Sequence, residues 1–153
     1  MIKKILVFSL LRFNISVYSQ IFKDQYIKQA TKTGEIWMQN ITSEKYDLAY
    51  TLYSEKVKEN SDSIHWSKAI SQLMNEFGKF KNREIIESRF ESNIENLGDG
   101  FYVFIEYKSI YQNIQECSEY LILGQDDNLK WKILRYDFSY LNEDQDLDKE
   151  LSN

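Results

Sequence analysis

Apolar and polar residues alternate along Phe101–Tyr140, and this period of two marks three consecutive strands separated by turn-rich breaks. In Phe101–Tyr111, the residues Phe101, Val103, Ile105 and Tyr107 share one face. Tyr102 and Phe104 make the start of the second face apolar too, so this strand is expected to be covered on both sides where it begins. The alternation pauses at Gln112–Gln115, resumes with Leu121 and Leu123, pauses at Gln125–Asn128, and resumes with Trp131 and Ile133. Two successive hairpins follow. Keeping apolar residues on one face pairs Tyr107 with Leu121 and Leu121 with Ile133, leaving Asn113–Gln115 and Asp126–Asn128 as loops. That register sets Ser109 beside Glu119, and Glu119 beside Arg135. A bulge at Leu134–Arg135 would instead turn Arg135 outward and bring Tyr136 to Glu119.

Upstream the period changes to that of helices. Phe22, Tyr26, Ala30, Trp37 and Ile41 form one amphipathic stripe over Ile21–Ile41, weakened but not ended by Gly34. Thr42 or Ser43 is placed to cap a second helix, with Tyr46, Ala49, Tyr50, Tyr53 and Val57 as its buried stripe. Trp66, Ile70, Leu73 and Phe77 define a third helix, capped by Ser61, Asp62 or Ser63 and stopped at Gly78. Trp37, Trp66 and Trp131 each lie on the apolar stripe of their own element and are expected in the core. Lys79–Ser92 is more weakly patterned and reads as an edge strand, turned into the central strand by the stretch from Asn96 to Gly100.

With 153 residues, 42% hydrophobic and 15% aromatic, the chain has material for one compact core, and it contains no Pro to stiffen a linker. Residues 1–19 read as a targeting segment. Lys3 and Lys4 precede the apolar run Ile5–Leu11, and Val17, Tyr18 and Ser19 offer a cleavage boundary before Gln20. The alternative is the first strand or helix of a cytoplasmic domain. The run is too short to span a bilayer, and residues 20–140 then form the single domain, periplasmic or secreted. Removing this segment takes away three basic residues and no acidic one, moving the net charge from −5 to −8. That balance argues against nucleic acid or an anionic membrane as partner. The acidic segment 141–153 reads as a solvated tail. The single Cys117 can form no internal disulfide and is expected to be a small buried hydrophobe.

Trp37, Met38, Tyr46, Tyr50, Trp66, Gly78, Arg83, Asp99, Gly100, Tyr102, Val103, Tyr107, Glu119, Trp131 and Tyr136, scattered single residues taken in this order, resemble the small exported bacterial proteins grouped as the domain of unknown function 4019 family. The resemblance spans roughly Ala30 to Tyr140. Two positions depart from the family pattern: Met74 where a basic residue is usual, and Arg135 where a Gly often precedes the aromatic. The resemblance implies an α+β fold, with N-terminal helices packed on a curved four-stranded antiparallel sheet, akin to a cystatin-like or nuclear-transport-factor-like cone. It brings no activity with it.

Candidate chemistry is sparse. One His and one Cys give no metal-ligand cluster, there is no phosphate-cradling glycine loop, and His65 has no nucleophile elbow beside it. No cofactor is implied. His65, next to Trp66 at a helix start, reads as a surface or capping residue. Two function classes remain. The first is a non-catalytic binding or interaction module of the cell envelope, holding a small molecule, a peptide or another protein, with Glu119, Arg135, Tyr107, Tyr111 and Tyr136 as candidate ligand-binding residues. The alternative is a small cone-fold enzyme in which Glu119 and Tyr107 or Tyr136 transfer a proton in an apolar pocket.

Overall fold

The computed structural model describes the backbone of residues 2–140 and the side chains from Gln20 onward. The acidic tail expected at 141–153, and the side chains of the expected targeting segment, lie outside the described residues. Helix α1, Ile2–Thr42, contains the helix expected over Ile21–Ile41 and continues through the Ser19–Gln20 boundary. It ends in a Schellman motif made without glycine: Glu44 takes a positive φ of 58°, Lys45 N–H reaches the Asn40 carbonyl at 2.8 Å, and Glu44 N–H reaches that of Ile41 at 3.1 Å. Neither Thr42 nor Ser43, the expected caps, precedes the next helix, α2, directly. The Thr42 hydroxyl donates back to the Met38 carbonyl at 3.1 Å, and the residue preceding α2, Lys45, offers no side-chain cap.

The expected second helix is broken in two. Helix α2 covers Tyr46–Thr51 and α3 covers Glu55–Lys58. Between them the chain runs beside the last strand, where Ile133 N–H donates to the Leu52 carbonyl and Ser54 N–H to the Ile133 carbonyl, both at 2.9 Å. Backbone pairing at a strand edge outweighs one further helical turn. Helix α4, Ser63–Phe77, begins as expected at Asp62, whose carboxylate accepts from the N–H groups of Ile64 at 2.9 Å and His65 at 3.0 Å. It stops at Gly78, with φ +76° and ψ −164°, a conformation open to glycine alone.

Four strands follow as an antiparallel meander in the order β1 (Phe80–Ile94), β2 (Gly98–Tyr111), β3 (Cys117–Gln125) and β4 (Trp131–Tyr140). Helices cover one face. Val103, Ile105, Tyr107, Leu121, Leu123 and Ile133 meet Ala30, Trp37, Met38, Ile41, Ala49, Tyr53 and Ile70 there in the main core. Gly34 admits this contact, because a Cβ on it would stand 2.9 Å from the Tyr107 hydroxyl and 3.2 Å from Ile105 Cδ1. Trp37 and Trp131 are buried as expected; Trp66 is half-buried, packed among Trp37, Tyr50 and Tyr53. A smaller cluster of Phe77, Tyr111, Ile114 and Cys117 closes one end. Strand β1 is an edge strand, as expected, and carries register shifts at Phe80/Asn82, Ile85/Glu87 and Ser92/Ile94.

Both hairpins differ in register from expectation. Tyr107 faces Glu119, and Leu121 faces Ile105, a slip of two residues that leaves every side chain on its expected face. The loop is wider than expected because Ile114 is buried within it. Tyr111 N–H bonds to the Ile114 carbonyl at 2.9 Å, and Gln112 and Asn113 bond to Lys79 and Phe77. In the second hairpin Leu123 faces Ile133 and Leu121 faces Tyr136, with an irregularity at Leu134 between the pairs Ile122–Arg135 and Leu123–Ile133. The extra residue reverses the side-chain parity of the rest of β4.

Candidate functional site

A carboxylate on the covered face of a central strand must find donors, since an isolated buried charge costs several kcal/mol. Glu119, fully buried on β3, finds them on the three other strands. Its Oε2 accepts from Arg83 Nε at 2.9 Å, from Arg83 Nη2 at 2.7 Å, and from the Ser109 hydroxyl. Its Oε1 accepts from the hydroxyls of Tyr111 at 3.0 Å and Tyr136 at 2.6 Å. Arg83 adds bonds to Ser109 Oγ at 2.9 Å and to the Tyr111 hydroxyl at 2.6 Å, and its guanidinium stands 5.0 Å from the Phe80 ring centroid. Burial, the largest single influence, would pull the Arg83 pKa down; the charge and hydrogen bonding of Glu119, together with Tyr111 and Tyr136, outweigh it and raise it. The Tyr136 hydroxyl is pushed well above its ordinary range by burial and then by Glu119, and Tyr111 is raised for the same two reasons.

Of the candidate residues, Glu119, Tyr111 and Tyr136 meet in one network. Tyr107 stands beside it, 5.8 Å from the Arg83 guanidinium, and its buried hydroxyl has no hydrogen-bond partner among the described residues. Arg135 does not join. It faces Ile122 on the opposite side of the sheet from Glu119, is exposed, and pairs with Asp137. The irregularity at Leu134 is the reason: it turns Arg135 outward and Tyr136 inward. The cation that Glu119 uses is Arg83, whose pairing role alternation did not reveal. The available signal was an unpaired acid on an apolar face, which demands a cation on that same face of the sheet, but the shifts in β1, two strands away, hide which residue arrives there.

Two clefts border the network. One of about 750 Å³ lies between the end of α1, α4 and the start of β1, and includes Tyr111 and Phe80; one of about 250 Å³ between α1 and β1 includes Glu35, Arg83 and Tyr107. Elsewhere, His65 is exposed, with its ring Nδ1 on the Asp62 carboxylate, and Cys117 is buried, its thiol pushed up to about 12 by burial and then by Glu119. Among the described residues no group of three or more His, Cys, Asp or Glu is placed to hold a metal, and no helix is long and apolar enough to cross a membrane.

Residues 33–136 match the family described as "Protein of unknown function (DUF4019)". The chain belongs to this family. The DUF4019 span contains the whole network, from Arg83 on β1 to Tyr136, its last matched residue, and the first core residues after Gly34. No curated protein and no solved structure matches the chain.

Proposed function

We propose that this DUF4019 protein is a non-catalytic binding module of the cell envelope, exported by residues 1–19 and mature from about Gln20, with a cystatin-like or nuclear-transport-factor-like cone. The observation that carries this reading is the state of Glu119. A general base needs a lone pair within reach of a substrate proton. Here both oxygens are already occupied by Arg83, Ser109, Tyr111 and Tyr136, and the carboxylate is fully buried. This arrangement fixes the strands relative to one another and holds Tyr111 and Arg83 at the borders of two clefts. Tyr107 adds an unpaired hydroxyl beside the smaller cleft, a group whose burial a ligand's polar end would offset.

The test is mass spectrometry under native conditions on protein purified from its source. A co-purifying small molecule, peptide or envelope protein is the expected result. Protein that carries nothing, and turns over a substrate at a rate abolished in Glu119→Gln, would overturn the reading in favour of the enzyme. Intact-mass measurement checks the export claim, with loss of residues 1–19 expected.

A further inference from the structure

A groove of about 510 Å³ between the outer face of the sheet and α3 shares no residue with the Glu119 network. A volume of this order falls within the range of roughly 300–1,000 Å³ typical of small-molecule sites. Its apolar surface comes from Val57 of α3, Leu97 of the β1–β2 turn, the Tyr102 ring and Leu134. Leu134 rests on Gly124, where a Cβ would stand 2.8 Å from its Cδ1, so glycine lets it sink against the strand. Polar atoms around the groove are spent internally. The Tyr102 hydroxyl donates to the Leu97 carbonyl at 3.0 Å, Asn60 Nδ2 donates to Lys56 O at 2.8 Å, and the Ser61 carbonyl accepts from Tyr50. Asp126 Oδ1 accepts two turn N–H groups, from Asn128 and Lys130, each at 2.9 Å.

The donors to Asp126 are neutral, so the groove lining carries two ammonium groups against one carboxylate, a net positive charge. Lys56 and Lys132 line the groove, and neither forms an ion pair among the described residues, whereas Lys58 and Lys108 do. An apolar surface with two unpaired ammonium groups on a chain of net charge −5 is a local reversal of sign. A peptide would need main-chain partners. None is offered here, because the groove lies on a sheet face and the nearby edge of β4 is already paired to Leu52 and Ser54.

We propose that this groove binds a single-chain amphiphile with one carboxylate head, a fatty acid, its chain over Tyr102 and Leu134 and its head between Lys56 and Lys132. This rests on the reading of the protein as a binding module and names a site and ligand class for it. The test is calorimetric titration of the full-length or naturally processed protein with laurate, below its micellar concentration, and with dodecyltrimethylammonium, which has the same chain and the opposite charge. Saturable laurate binding is expected, at least tenfold tighter than the cation. The double variant Lys56→Gln/Lys132→Gln, altered only at side chains outside the core, should keep the parent's melting temperature and bind laurate at least tenfold more weakly. Absence of laurate binding, equal binding of the cation, or undiminished binding by the double variant would each overturn the proposal. If laurate fails while another molecule co-purifies from the source, this groove assignment falls and the binding-module reading stands; if neither is found, both fall.

Discussion

Arg83 and Glu119 show what a buried ion pair costs to break. Replacing Glu119 by Leu leaves a guanidinium with only 9% of its side chain exposed and no counter-charge, a loss of about 3–5 kcal/mol. Replacing both, as Arg83→Met/Glu119→Leu, removes the charges together and should recover most of it. Urea unfolding of the three variants measures the coupling, and simple additivity would mean that the pair is not acting as a unit. The two tyrosines should respond in opposite senses. Tyr136→Phe deletes a donor to Glu119 and is expected to lose about 1–2 kcal/mol, whereas Tyr107→Phe deletes a buried hydroxyl with no partner and is expected to be neutral or to gain about 1 kcal/mol. Glu119 and its tyrosines were legible in sequence because an acid amid alternating apolar residues stands out. Arg83 was not, since strand alternation is blind to slips of two residues and to bulges on β1, two strands away from Glu119.

Proton binding gives a further expectation for buried side chains. Burial pushes Tyr53 up to about 12 from an ordinary 10.0, and Cys117 up to about 12 from 9.0. The folded form therefore keeps protons that the unfolded chain releases. The corresponding stability is whole below pH 9.0 and is lost as pH rises towards about 12, with Tyr53 alone accounting for roughly 3 kcal/mol. Denaturant melts from pH 8 to pH 11, with tyrosinate absorbance followed alongside, check this; a stability flat across the alkaline range would contradict it. Native Cys117 should also resist thiol reagents until the protein unfolds.

Among the elements, α1 is the one whose packing reverses a usual rule. In an exposed helix, Gly→Ala gains about 1 kcal/mol. At Gly34 the new methyl would press on the Tyr107 hydroxyl, Ile105 and Leu121, all buried in the core with little room to give, so Gly34→Ala should lower the melting temperature. An unchanged or raised value would mean that α1 can ride outward on the sheet at no cost. Helix stripes were legible because their period is long and their residues aromatic. The break at Leu52–Ser54 was hidden: Tyr53 is buried both as a helix position and as a partner of Ile133, so the pattern fits either state. The loop around Ile114 was hidden for a similar reason, since a single apolar residue in a polar stretch does not announce that it will be buried.

For the whole molecule, the order of helices and strands followed from periodicity, and the α+β class followed with the family resemblance. The long-range contacts did not, because they depend on the bulges. Contacts such as Trp131 Nε1 to Gln29 at 3.4 Å and Arg83 to Glu119 join distant parts of the chain, so the sheet must be assembled before its polar centre closes. One feature of that sheet also governs how the molecule meets its own kind. Strand β1 has a neighbour on one side only, and exposed Ile85 and Ile86 lie along it. A straight edge of this length would serve as a template for another chain. The irregularities beside Lys81, Ile86 and Asn93 interrupt the row of free N–H and C=O groups every few residues, and Glu84 and Glu87 flank the central one. Deleting Ile86 should straighten that stretch, and light scattering should then report fibrous self-association that the parent resists: irregular strand geometry here serves colloidal stability.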